Sequence, residues 1–147
     1  MNESQDWPML GGNAQHTGTR PRRGIAAPRL LYKVKVGSET FSSPLVVADT
    51  VYVMTYCSFQ SVVVALDSTT GVERGCYAPP SLFLGCYWFT PAISDRHLYF
   101  AGFRTLLTLS AETGEVVQKI DFKGGSHWEP LSSLLLYGQR LYVTRWK

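Results

Sequence analysis

Apolar and polar positions alternate in short runs along most of this chain, and the runs fall into groups of four. Residues 45–48, 51–56, 61–66 and 72–77 form one group, and residues 92–94, 97–101, 105–109 and 115–122 form the next. Alternation with a period of two over such short lengths predicts half-buried β-strands, with turn residues marking their ends. Asp49-Thr50 separates the first two runs and "CSFQ", Cys57 to Gln60, the second and third. The turn "DSTTG", Asp67 to Gly71, leads into the fourth. There the Asp67 carboxylate can accept backbone N–H groups, and Gly71 can take a positive φ without a Cβ clash. "SAETG", Ser110 to Gly114, repeats that turn with Ser110 in the aspartate position. Each group is predicted to be a four-stranded antiparallel meander.

The repeat has a measurable period. Tyr52, Tyr99 and Tyr142 are spaced by 47 and 43 residues, and Gly71 and Gly114 by 43. Four strands per unit of about 40 to 50 residues is the signature of a β-propeller blade. The expected fold is therefore all-β, with two full blades at residues 43–78 and 90–122 and a partial third at 129–147, an incomplete ring. The third unit starts at "EPLSSLLLYGQRLYVTRWK", where Glu129-Pro130 is taken to stand where Ser43-Pro44 and Thr90-Pro91 stood. Proline's missing N–H is tolerated at the first position of a strand. Ahead of the blades, residues 30–36 are expected to form a lone outer strand and residues 1–29 an extended N-terminal segment; residues 30–147 make up the partial propeller.

These blades resemble the repeat of pyrroloquinoline-quinone-like, or quinoprotein-type, β-propellers. The resemblance rests on Ser/Thr-Pro, a short turn, Val/Leu-Tyr, and "ALDSTTG" at residues 65–71, with "LSAETG" at 109–114 as a looser copy. "DWPMLGGNAQHTG", residues 6–18, is similar to the stretch that precedes the first blade in such proteins. The resemblance spans residues 6–147. In that family a tryptophan four residues after the turn glycine docks between blades, whereas this chain has Gly75 and Gln118 there. Looser packing between blades is the expected consequence. The segment at 30–36 resembles the outer strand that closes the last blade of a complete ring.

Composition narrows the choice of partner. Apolar residues are 45% of the chain and charged residues 17%, a globular balance. The formal charge of +3 includes four arginines within "RPRRGIAAPR", residues 20–29, where two prolines and a glycine break any face that could present them together. No nucleic-acid partner is therefore expected. The longest apolar run, residues 82–89, is far short of the roughly 18 residues a membrane helix requires, so no membrane span is expected. Met1 to Met9 shows no basic region followed by an apolar core, so the chain as given carries no signal peptide; the family resemblance implies a cell-envelope or periplasmic location for a longer precursor. Cys57, Cys76 and Cys86 are odd in number and lack C-x-x-C spacing, which points to neither a zinc site nor a disulfide framework.

Candidate binding residues come from where the loops of a meander fall. Loops entering each blade and loops between second and third strands share one face of a propeller. On that face the sequence places Phe41, Trp88 with Phe89, and Trp128, each shortly before a blade. Phe59, Arg104, His127 and Glu129 join them. Trp88, Arg104, His127, Trp128 and Glu129 are the ligand-binding candidates, since aromatic rings with polar neighbours suit a peptide strand, a sugar or a planar ligand. The simpler role for Trp88, Trp128 and Phe41 is to wedge between blades in place of the missing docking tryptophan. His16 is read as part of a structural loop and His97 as a surface residue. No catalytic residue and no metal or cofactor ligand can be assigned. The resemblance implies pyrroloquinoline quinone and calcium only for its enzyme members, and the adjacent cysteine pair of the alcohol dehydrogenases among them does not occur here. The favoured expectation is a non-catalytic scaffold that binds a protein or ligand, or self-associates through its open blade edges. The alternative is an N-terminal fragment of a quinone-dependent dehydrogenase.

Overall fold

The computed structural model of the chain describes residues 6–19, 27–40, 42–58, 60–78, 90–101, 105–122 and 133–144. Its strands are β1 (Leu45–Val47), β2 (Thr50–Cys57), β3 (Gln60–Asp67), β4 (Glu73–Tyr77), β5 (Ala92–Ser94), β6 (His97–Ala101), β7 (Thr105–Ser110), β8 (Val116–Asp121), β9 (Leu135–Tyr137) and β10 (Arg140–Tyr142). β1 to β4 form one four-stranded antiparallel sheet in sequence order, β5 to β8 a second, and β9 pairs with β10. These are the two meanders expected from the alternation, followed by the first hairpin of a third. Both complete sheets even carry a register shift at the same place, Ala65/Leu66 in one and Thr108/Leu109 in the other. The architecture is a partial β-propeller whose ring is not closed.

What builds the stack is that each sheet is apolar on both faces. One face of the first sheet presents Leu45, Tyr52, Met54, Val63 and Ala65, and it packs on Ile93, Leu98, Phe100, Leu107 and Leu109 of the second. The opposite face of the second sheet, with Ala92 and Ala101, packs on Leu134, Leu135, Leu136, Leu141 and Val143 of the third unit. Phe100, Leu45, Leu98, Leu107 and Leu109 are fully buried. Full burial of one such side chain stabilises by roughly 1.5–3 kcal/mol, so the stacking of sheets dominates the energetics.

A chain of hydroxyl contacts sets the register between blades. The Ser43 N–H donates to Thr90 Oγ1 (3.1 Å), and the Thr90 N–H donates to Ser133 Oγ (3.2 Å). Ser43, Thr90 and Ser133 share the 47- and 43-residue spacing of Tyr52, Tyr99 and Tyr142. The third unit therefore opens at Ser133-Leu134, four residues after Glu129-Pro130. Glu129-Pro130 lies outside the described residues, while the tyrosines, fixed opposite Leu45, Ala92 and Leu135 in the ladders, carry the register.

Residues 30–36 differ from expectation as well. They form no strand ladder, since no described strand lies beside them, and they contact the first sheet through side chains. Val36 packs against Val62, Val64 and Leu66. The Tyr32 hydroxyl donates to the Ser68 carbonyl (3.1 Å), and a Cβ on Gly71 would meet the Tyr32 ring at 2.6 Å. The same arrangement recurs one blade later. Tyr77 of β4 donates to the Ala111 carbonyl (3.1 Å), and its ring lies where a Cβ on Gly114 would stand. Gly71 and Gly114 have φ of 73° and 74°, the left-handed conformation that glycine alone adopts without strain. A tyrosine on the preceding element thus covers each turn glycine and supplies the contact between blades that the tryptophan was expected to supply. Gly75 makes this possible: a Cβ there would come within 2.9 Å of the Tyr77 hydroxyl.

The N-terminal segment is not simply extended. Trp7 and Val46 exchange backbone hydrogen bonds, the Ile93 N–H donates to the Pro8 carbonyl (2.8 Å), and Met9 is buried with Ala92 and Leu134. Asp6 Oδ1 accepts the Ala48 N–H (2.6 Å). The segment crosses the innermost strands β1 and β5 and ties neighbouring blades together. Further along, residues 38–40 take up the part of the β2 edge that three-residue β1 leaves uncovered, where Ser38 N–H donates to the Tyr56 carbonyl and Tyr56 N–H to the Glu39 carbonyl.

Two outcomes test these contacts. Thr90→Val deprives the Ser43 N–H of its acceptor at a position only 4% exposed, and is expected to cost about 1–3 kcal/mol in denaturant unfolding, whereas Thr90→Ser keeps the acceptor and costs less. Gly114→Ala adds strain from positive φ, roughly 1–2 kcal/mol, to a collision with Tyr77. Pairing it with Tyr77→Ala should relieve only the collision, so the double-mutant cycle should show a coupling energy clearly different from zero.

Candidate functional site between the first two blades

A concavity formed by described residues lies between the first and second sheets. It is a cleft of about 490 Å³, lined among others by Tyr52, Ala65, Arg74, Tyr77, Ile93 and Ala111. Its origin is steric. Ala65 lies on the first sheet's inner face, and Ala48 and Ala111 occupy turns at the mouth, so small side chains meet where larger ones would close the gap. The mouth lies at the end of the stack that carries the β1–β2, β3–β4 and β5–β6 turns.

One wall of the mouth is a network around Arg74. Its guanidinium donates to both Asp49 carboxylate oxygens (2.8 Å each), to Thr50 Oγ1 (2.8 Å) and to Asp67 Oδ2 (2.5 Å). Both terminal nitrogens are therefore fully engaged. Asp67 Oδ1 meanwhile accepts the Thr69 N–H (2.9 Å), the Thr70 N–H (2.8 Å) and the Thr70 hydroxyl (2.9 Å). Those hydrogen bonds, led by the Thr70 N–H and followed by Arg74, hold the Asp67 carboxyl well below the usual carboxylate range. Arg74 likewise lowers the Asp49 carboxyl, and the two carboxylates raise the guanidinium. Bidentate and doubly shared, this network is a positioning device: it binds the β1–β2 turn, the β3–β4 turn and β4 into one rigid rim.

The other wall is more loosely built. Arg96 Nη1 and Glu112 Oε2 are 3.7 Å apart, and both side chains are largely exposed. Asp95 accepts a 3.3 Å hydrogen bond from the Ser94 hydroxyl and has a φ of 47°. In the turn behind them, Ser110 Oγ accepts the Glu112 and Thr113 N–H groups at 3.3 and 3.2 Å, longer than the bonds to Asp67. Val117 stands in the register position of Arg74, so the second blade has no counterpart of the guanidinium network. The floor contributes two phenols. Burial pushes Tyr52 and Tyr77 above the ordinary tyrosine range, with the nearness of Tyr77 adding to the effect on Tyr52. Both are neutral hydroxyls at pH 7, donors and acceptors but not bases.

Trp88, Arg104, His127, Trp128 and Glu129 lie outside the described residues, as do Phe41, Phe59 and Phe89. His16 is exposed and, with Leu10, Ser133, Leu135, Tyr142 and Thr144, lines a second hollow of about 420 Å³ against the third unit. His97 is half-buried at the start of β6, its ring 6.4 Å from that of Tyr99. Cys57 and Cys76 are exposed free thiols. Among the described residues no group of three or more His, Cys, Asp or Glu side chains is placed to hold a metal ion. The Arg74 network was legible in principle, because Asp49, Asp67 and Arg74 all sit at turn ends of one meander; what concealed it was reading the two blades as equivalent.

Stacked four-stranded meanders with a shared inner edge define this chain as part of a β-propeller. No protein-family model matches it, and neither does any curated protein sequence. Among solved structures, a chain described as a europium-containing methanol dehydrogenase superposes with a TM-score of 0.71 at 20% sequence identity. That alignment covers 95% of this chain but only 27% of the dehydrogenase, so the chain spans about a quarter of its neighbour's length. The shared property is the fold.

Acid titration tests the Arg74 network. Because the folded-state value of Asp67 is depressed, its contribution to stability is present above the unfolded carboxylate value, near 3.8, and is lost as pH falls below it toward the folded value. The thermal midpoint should fall steeply below about pH 4. In Arg74→Leu the midpoint at neutral pH should be lower and the acid drop shallower, whereas in Glu112→Gln both should stay close to wild type.

Proposed function

We propose that this chain is a run of consecutive blades from a propeller of the quinoprotein-dehydrogenase type, and that it builds and locks part of the ring on which such an enzyme works. The observation that carries this reading is the fold match over 95% of the chain to a methanol dehydrogenase of which it spans 27%. The quinoprotein-like blade motif at residues 65–71 supports it independently. By that likeness the whole protein would oxidise a small alcohol. The fold neighbour supports this reading better than a non-catalytic binding scaffold, for which no described residue points to a particular partner.

The described residues do not fit a quinone and metal centre. They offer no three-ligand cluster, and Cys57 and Cys76 belong to different strands. No redox step is therefore assigned to them. Their part is mechanical: the segment at residues 6–9 ties β1 to β5, and the Ser43, Thr90 and Ser133 contacts keep the inner strands in register.

Isolation of the native protein with an antibody raised to this chain tests the reading. Intact mass and dye-linked alcohol oxidation, with and without added pyrroloquinoline quinone and calcium, are the readouts. A polypeptide several times heavier than 16.4 kDa with quinone-dependent oxidation is expected. A 16.4 kDa species that oxidises no alcohol, quinone added or not, would overturn it in favour of the scaffold.

A further inference from the structure

The cleft between the first two blades has a shape and a charge that together select a ligand, separately from any chemistry of the larger ring. At about 490 Å³ it falls within the usual range of small-molecule sites, roughly 300–1,000 Å³. Its interior is a slot between packed sheets, walled by Val47, Ala65, Ile93 and Ala111 with the phenols of Tyr52 and Tyr77. A flat apolar ring suits such a slot, because a planar group gains contact with both walls at little cost in conformational freedom.

The sign of the charge comes from the mouth. Of the residues lining the cleft, Asp49, Asp95 and Glu112 bring three carboxylates and Arg74 and Arg96 two guanidinium groups, while Asp67 holds Arg74 from behind. The lining is left with one negative charge, in a chain whose formal charge is +3. Distribution matters as much as the total. Arg74 is held on both sides by Asp49 and Asp67 and offers a ligand no terminal N–H. Asp95 and Glu112, by contrast, make only long contacts, at 3.3 and 3.7 Å, and a carboxylate has room for about four hydrogen bonds. An ammonium group placed at the mouth would meet two carboxylates there, with tyrosine rings on the floor to favour a cation further.

We propose that this cleft binds a small planar aromatic amine in its cationic form, the ring lying between the sheets and the ammonium group held by Asp95 and Glu112. Ala65 and Ala111, small side chains on the two sheets, leave the slot open.

Titration of the full 147-residue chain with tryptamine and with indole-3-acetate, followed by NMR, separates ring from charge, since the two share the indole and differ in sign. Tryptamine is expected to saturate and to bind about tenfold or more tightly than indole-3-acetate, the preference shrinking as salt is raised. Asp95→Asn, which tolerates the left-handed backbone at that position, and Glu112→Gln should each weaken tryptamine by roughly two- to fivefold and leave neutral indole unchanged. Ala111→Phe should close the slot to all three ligands; should that variant unfold, the two carboxamide variants decide alone. Equal affinity for tryptamine and indole-3-acetate, no saturation by either, or unaltered tryptamine binding in both carboxamide variants would overturn the proposal. None of these outcomes depends on whether the native protein is a dehydrogenase.

Discussion

A sheet that is apolar on both faces cannot be stable by itself, and every structural feature of this chain answers to that constraint. In the first blade Leu45, Met54 and Val63 point one way, and Val62, Val64 and Leu66 the other. A lone meander would leave one of these sets in water. Stacking buries both, with the second blade against the first set and residues around Val36 against the second. The energetic ranking follows from magnitudes. Ten buried residues in the cluster between the first two blades, at roughly 1.5–3 kcal/mol for each large side chain, far outweigh a contact between blades such as Ser43 to Thr90, worth about 1 kcal/mol. Packing supplies stability, and the hydroxyl contacts supply register.

The same constraint explains where a site can form. With the sheet faces filled, one open volume falls where small side chains meet across the stack, at Ala65 and Ala111. Its two walls differ in stiffness. Asp67 and Arg74 fix the first blade's turns, while Ser110 and Val117 at the matching positions leave the second blade's turn held by longer bonds.

Much of the architecture was legible because alternation and turn chemistry act locally. All eight strands of the two full blades were readable to within about two residues, and the tyrosine spacing gave the true period. Features that depend on tertiary neighbours were not. The contact that repeats from blade to blade is made by Ser133, whereas Pro130, read as the opening of the third unit, lies outside the described residues. Residues 30–36 have the composition of a strand, yet a strand exists only beside a partner. The absence of tryptophan at position 75 suggested loose blades, when Tyr77 two residues later fills the role by reaching across to Ala111. The cleft left no mark in any single stretch, since Ala65 and Ala111 come together only after folding. The sequence-based binding candidates lie outside the described residues.

The blades are locked to one another and not merely folded side by side. Amide hydrogen exchange at Ser43 and Thr90 measures this most directly, because neither residue lies in a strand ladder and each N–H is bonded only across the blade boundary. If the account holds, both amides exchange as slowly as those of Val63 and Leu107 in the sheet interiors. Exchange of Ser43 and Thr90 at the rate of an open loop, with Val63 and Leu107 still protected, would contradict it.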